Sequence, residues 1–234
     1  MPTADSKGMN DFNFDELEFA DNPDPRASCV LVLDCSGSMA DTRDGEVVSP
    51  IEALNSGLDT LVTELHKDPL AKRRVEVSVV TFGSAVTPAT DFATVENLIL
   101  PTLVPSGATS MGAAINEALD AIESRKKTYK ENAVQYFKSW VILITDGIPT
   151  DDITAAVQRV ADAESRNSIA FFAVGVDGAD MNVLNKIAPR GALALSGMKF
   201  DELFQWVSAS QSAVSASNPG DKVALPSPAG WAEI

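Results

Sequence analysis

Histidine is almost absent from this chain and cysteine is scarce: one and two residues, respectively, in 234. His66 falls near the end of a helical pattern, where a solvated or dipole-favoured position accounts for it. No Ser/His/Asp relay assembles around it. Cys29 and Cys35 lie six positions apart. On one extended strand that is roughly 20 Å, too far to bridge. A disulfide framework and a Cys-x-x-Cys metal pair are therefore excluded. No stretch approaches the roughly 20 apolar residues of a membrane span. The first 26 residues lack a basic start followed by an apolar run, so no secretory leader is expected. These absences fit a reducing cytoplasm. Basic charge is short as well, with 18 Lys and Arg against 33 Asp and Glu, a net of −15. Such an excess argues against nucleic acid and anionic membrane as partners.

What is present is a set of buried-strand patterns. Cys29-Val30-Leu31-Val32-Leu33 is a continuous apolar run ended by Asp34, as in a strand covered on both faces. Trp140 to Thr145 repeats the pattern and ends in Asp146-Gly147; Ile169 to Gly175 does so near Asp177. Val75 to Phe82 alternates more clearly and stops at Gly83, as a strand nearer an edge, hairpinned to a short strand around Ala85–Thr87. Helical periodicity fills the intervals. Pro50 opens a helix with Ile51, Leu54, Leu58, Leu61, Val62 and Leu65 on one face. Others are expected from Met111 through Ile122, over Asp151–Ser165 and Asp201–Ser217, and briefly over Met181–Ile187. Strands alternating with helices predict an α/β fold: a doubly wound, mostly parallel sheet with helices on both faces and one short antiparallel edge strand. The expected organisation is an acidic N-terminal extension over 1–26, one domain over 27–217, and a tail over 218–234 packed on it.

In such sheets ligands bind beyond the carboxyl ends of the strands, near the switch in strand order. Asp34 and Asp146 each occupy such an end. In Asp34-Cys35-Ser36-Gly37-Ser38 an extended-to-turn backbone converges the oxygens of positions 34, 36 and 38, and Gly37 permits the turn. A carboxylate with two hydroxyls is a hard donor set suited to Mg²⁺, Mn²⁺ or Ca²⁺. Thr109, between Gly107 and Gly112, and Asp146 offer further oxygen from other strand ends. The metal ligands expected are thus Asp34, Ser36, Ser38, Thr109 and Asp146, with no catalytic residue among them.

These five positions resemble the metal-ion-dependent adhesion site of von Willebrand factor A domains, a Rossmann-like fold, and the resemblance runs over residues 27–217. Within that family, Asp68-Pro69-Leu70-Ala71, Arg74 to Gly83, Pro149-Thr150-Asp151 and the ending Gly230-Trp231-Ala232-Glu233-Ile234 are similar to the TerY-like, tellurium-resistance-associated subfamily of bacteria. The resemblance implies direct metal contact by Ser36 and Ser38, contact by Thr109 in a ligand-ready state, and contact mainly through water by Asp34 and Asp146. It implies a binding scaffold rather than an enzyme, whose partner supplies an Asp or Glu to the cation, in a stress-response complex with a kinase and a phosphatase. The cysteine-rich zinc segment of some relatives has no counterpart here.

Two rivals are an accessory subunit of an ATP-driven chelatase or remodelling complex, and a metal-dependent phosphohydrolase. The second would want Asp-x-Asp after the first strand, where Ser36 stands instead. A Gly-x-x-x-x-Gly-Lys-Ser/Thr phosphate loop is absent. Among other polar groups, Asp151-Asp152 reads as an opening cap of its own helix, and Lys72-Arg73-Arg74 as a solvated run before a strand. Asp41, Asp44 and Glu46 read as an acidic loop or as a second cation site. Trp140 and Trp206 sit in core patterns, and Trp231 reads as the anchor of the tail.

Overall fold

The computed structural model describes residues 14–42 and 45–233. Asp44 and Ile234, named above, lie outside the described residues. The chain runs α1 (Phe14–Asp21), β1 (Ala27–Asp34), a 3₁₀ turn (Gly37–Ala40), α2 (Pro50–His66), α3 (Pro69–Arg74), β2 (Val75–Phe82) and β3 (Val86–Thr94). It continues through α4 (Met111–Glu131), β4 (Ser139–Thr145), α5 (Thr154–Ser165), β5 (Ile169–Gly175), α6 (Met181–Ile187), β6 (Leu193–Leu195), α7 (Phe200–Ser215) and β7 (Ala232–Glu233).

The strands form one sheet in the order β3-β2-β1-β4-β5-β6-β7. The pairs from β2 to β6 are parallel, and both edges are antiparallel. The expected α/β class is what the structure has. The edge hairpin is longer than the few residues read around Ala85–Thr87, because β3 follows β2 through two register shifts back to Thr94. The two-residue β7 adds a second antiparallel edge.

Pleating sends alternate residues of β1 to two separate cores. Leu31 and Leu33 meet Leu54, Leu58, Phe200 and Phe204 of α2 and α7. Val30 and Val32 meet Ile115, Leu119 and Val160 of α4 and α5. All eight residues of β1 are buried, which is why its sequence reads as an unbroken apolar run. Pro50 starts α2, and Glu52 accepts bonds from the Ser49 amide and hydroxyl at 2.8 Å each. Gly57 lets α7 approach: a Cβ there would lie 2.6 Å from the Phe204 ring.

Alternation in β2 does not mark a solvent face. Glu76 and Ser78 are buried, at 0% and 5% exposure, because each has partners in the fold. Ser78 donates to the Thr90 carbonyl at 2.9 Å. Glu76 accepts from Arg26 Nε at 2.8 Å, from Arg125 Nε and an Arg125 terminal nitrogen at 2.9 Å each, and from the Tyr129 hydroxyl. Burial, and then the Glu76 carboxylate, push the Tyr129 phenol well above its ordinary value, so it remains a donor. The Phe19 ring of α1 lies 5.3 Å from the Arg26 guanidinium and 5.0 Å from that of Arg125. Glu18 pairs with Arg125 at 3.2 Å. One buried carboxylate therefore fastens α1, β1, β2 and α4 together at the sheet end opposite Asp34.

Other expectations are corrected by local partners. Lys72-Arg73-Arg74 is not a solvated approach to a strand but the last turn of α3, paired with Glu96 and Asp24, with Arg74 also donating to the Ser215 carbonyl at 2.7 Å. The helices expected from Asp151 and Asp201 begin instead at Thr154 and Phe200. Trp231 is 3% exposed and lies 5.5 Å from Trp206, whose indole nitrogen donates to the Pro226 carbonyl at 2.8 Å. Cys29 and Cys35 are free thiols, and burial raises each to about 12, which keeps them protonated and unreactive.

Replacing Glu76 by Gln leaves two buried guanidiniums without their shared counter-charge. The variant should lose about 3–5 kcal/mol of unfolding free energy in urea melts.

Candidate metal centre

The switch in strand order falls between β1 and β4, whose neighbours lie on opposite sides. Asp34 ends β1 and Asp146 follows β4 directly. The loop after β1 is fixed before any side chain acts. The Cys35 amide donates to the Phe82 carbonyl at 2.7 Å, the Cys35 carbonyl accepts from Ser106 at 2.6 Å, and Gly37 donates to the Gly107 carbonyl at 3.0 Å. This last bond joins the Asp34–Ser38 loop to the segment that carries Thr109.

All five residues expected from the sequence come together. Asp34 Oδ1 accepts from the Ser36 amide at 2.7 Å. Ser36 and Ser38 hydroxyls are 3.1 Å apart, and Ser38 donates to Asp146 Oδ1 at 2.7 Å. With its proton given to Asp146, Ser38 accepts from Ser36 and keeps one oxygen lone pair available to a cation. Thr109 and Asp34 face a common point beside Gly147. A Cβ on Gly147 would lie 3.1 Å from the Thr109 hydroxyl and 3.4 Å from Asp34 Oδ2. Asp34, Ser36, Thr109 and Asp146 are buried, while Ser38 is half-buried and forms the open side. Burial raises the Asp34 carboxyl above its ordinary value; bonds from Thr145 and Ser36 oppose this, and the Asp146 charge adds to it.

The donor set fits a hard divalent cation. Two carboxylates that repel one another share a largely desolvated site with three hydroxyls, and a cation relieves that repulsion. Among the described residues no group of three or more His, Cys, Asp or Glu side chains could hold a metal. Further side-chain ligation of an ion held by Asp34 and Asp146 would therefore come from the neutral hydroxyls of Ser36, Ser38 and Thr109.

Three supporting residues were not identified by sequence reasoning. Thr145 donates to Asp34 Oδ2 and accepts from the Gly147 amide at 3.0 Å, so it orients one carboxylate and the turn after the other. Thr150 brackets Thr109: its hydroxyl accepts from the Thr109 amide at 3.2 Å, and its amide donates to the Thr109 carbonyl at 2.9 Å. Asp151 does not cap its own helix. Its carboxylate accepts from the Gly112 and Ala113 amides at 3.0 and 2.8 Å, capping α4 immediately after Thr109. Asp152 serves the local turn by accepting from the Thr154 amide at 2.9 Å. The position of Thr145 between a buried strand and Asp146 was a usable signal. Nothing local marks Thr150 or Asp151.

A doubly wound sheet with an oxygen-lined site at its switch point defines a ligand-binding α/β domain. The von Willebrand factor type A domain family matches residues 29–206, and the chain belongs to that family. No curated protein matches it in sequence. Among solved structures it is similar to the pilus adhesin SpaC from Lactobacillus rhamnosus GG, with TM-score 0.62, 15% identity, and coverage of 81% of this chain and 31% of the adhesin. A D319A mutant of the PilB minor pilin from Streptococcus sanguinis gives TM-score 0.61 and 13% identity, over 83% of this chain and 64% of the pilin. The conserved hypothetical protein BatB from Bacteroides thetaiotaomicron gives 0.54 and 18%, over 78% and 97%. At these identities the likeness is one of fold alone, and the chain spans less than two thirds of either pilus protein.

Asp151→Ala should remove the cap of α4 and lower unfolding free energy by about 1 kcal/mol, read from the urea midpoint at unchanged slope.

Proposed function

We propose that this domain, of a family that generally mediates protein–protein interaction, binds its partner through a divalent cation, Mg²⁺ by preference over Mn²⁺ or Ca²⁺, held by Asp34, Ser36, Ser38, Thr109 and Asp146. The observation that carries this is the convergence of two carboxylates and three hydroxyls at the switch point, with Ser38 on the open side. Neutral hydroxyl ligands would leave much of the cation's charge uncompensated for an Asp or Glu of a partner. In this reading Asp34, held by Ser36 and Thr145, and Asp146, held by Ser38, would orient water or the ion.

The site binds without turnover in this proposal, since Ser36 stands where a phosphohydrolase would place its second carboxylate. The finer setting we propose is a cytoplasmic bacterial stress-response complex, of the tellurium-resistance-associated type, containing a kinase and a phosphatase. It is supported by the TerY-like segments around Asp68, Arg74 and Pro149 and by the chain's final residues. Among the described residues no helix is long and apolar enough to cross a membrane.

Thermal melts with Mg²⁺ and with chelator test the site, using wild type, Asp34→Ala and Ser38→Ala. A cation binding only the native state should add about 2.7 kcal/mol at one hundred times its dissociation constant, and the gain should vanish in Asp34→Ala. Affinity capture from lysate under the same conditions tests the docking role. Partners retained equally with chelator, or by Asp34→Ala, would overturn the metal bridge.

A further inference from the structure

Eighteen cationic side chains serve a chain of net charge −15, yet six of them line one groove. They are Lys126, Lys130, Lys138, Arg166, Arg190 and Lys222, brought together from α4, the approaches to β4 and β5, the segment after α6, and the C-terminal tail. The groove measures about 690 Å³ and lies at the amino ends of β4 and β5, the opposite end of the sheet from Asp34. Its one lining carboxylate, Asp221, is engaged with the Asn218 amide and side chain at 3.0 and 3.1 Å.

The cations are poorly compensated. Arg190 pairs with Glu164 at 2.7 Å, but none of the other five makes a direct ion pair among the described residues, and Glu123 acts on Lys126 only from beyond contact. Lys126 is only 8% exposed, and its ammonium donates to the Ser168 carbonyl at 2.6 Å and to the Ser168 hydroxyl at 2.9 Å. A buried charge normally has a counter-ion; here burial, with Lys130 beside it, lowers Lys126 to about 8. Lys130, Arg166 and Lys222 are exposed at the rim. Between them the lining is apolar and aromatic, with half-buried Tyr136, Phe172, Val214 and Leu225.

We propose that this groove binds a short acidic peptide segment of a partner protein, with carboxylates on the lysine and arginine rim and apolar side chains on the floor. Charge complementarity selects the anion. Overall acidity does not prevent it, because at physiological salt charges farther than about 8 Å are screened and the local cations dominate. The same net acidity disfavours an extended polyanion such as nucleic acid and leaves a short segment as the occupant. The apolar floor and the size of the groove favour a peptide over a free phosphate. The surface is separate from the candidate metal centre and requires no cation.

Fluorescence anisotropy with a labelled peptide of alternating Glu and Leu, and a Lys/Leu peptide as control, tests this on the full chain. The acidic peptide should bind and weaken with added salt. Its affinity should fall at least about tenfold in Lys130→Glu/Arg166→Glu/Lys222→Glu, with a smaller loss in Lys130→Gln/Lys222→Gln. An unchanged thermal melt certifies the fold of each variant. Binding should be unchanged by chelator and in Asp34→Ala, so loss of the metal dock and loss of this groove are separately visible. Equal binding of both peptides, or full binding by both groove variants, would overturn the proposal. So would displacement by inorganic phosphate or ATP beyond the effect of matched salt, which marks a small-anion site, or tighter binding of duplex DNA.

Discussion

The burial of β1 on both faces and along both edges is the constraint on which the rest of this domain depends. A strand with parallel neighbours on each side, and helices above and below, cannot shift register without exposing one of its two apolar sets. Its last residue is therefore fixed in place, and that residue is Asp34. Desolvation of Asp34 carries a cost, and the structure offsets it with bonds from Thr145 and the Ser36 amide. The surroundings of this carboxylate supply the hydroxyls and the second carboxylate that suit it to a cation. Rigidity of the strand and polarity of the site thus have one origin.

The opposite end of the sheet uses charge differently. There Glu76 is surrounded by Arg26, Arg125 and Tyr129, and the pairing is so complete that the group works as a fastener. A buried ion pair is rarely a net source of stability compared with apolar packing. What it does here is fix which segments meet: α1 through Phe19 and Glu18, β1 through Arg26, α4 through Arg125 and Tyr129. At the very next position of α4, Lys126 makes no direct ion pair with a carboxylate. Two neighbouring cations on one helix therefore belong to different environments, one neutralised inside the fold and one facing a groove of like charge. Net charge, averaged over the chain, conceals both.

The three loops at the candidate centre are also joined by backbone bonds that depend little on side-chain identity. Cys35 pairs with Phe82 and Ser106, Gly37 with Gly107, and Thr150 with Thr109. These bonds hold Thr109 near Asp34 even though the two are distant in the chain. Asp151 then ends the arrangement by capping α4 from the loop after β4, which ties the helix start to the segment that follows Asp146.

Much of this was legible in the sequence because the signals are local. Apolar runs ending in aspartate mark strands whose ends lie at the sheet's carboxyl edge, and an extended-to-turn backbone lets Asp34-x-Ser36-x-Ser38 converge its oxygens. The buried strands β1, β4 and β5, the Asp34–Ser38 turn and the helix start at Pro50 follow from patterns within a few residues, whereas Thr109 and Asp146, distant in the chain, were joined to that turn through the family resemblance. Glu76, Arg26 and Arg125 did not announce themselves, since alternation in β2 reads equally as a solvent face until the partners are known. Asp151 was read as a cap of its own helix because only tertiary packing brings the α4 amides closer. The basic groove is assembled from segments spread over nearly a hundred residues. Hydrophobic period and motif mark which residues are strand and helix and which oxygens are candidate ligands. Which charge meets which is set by distance in space, and only the fold decides that.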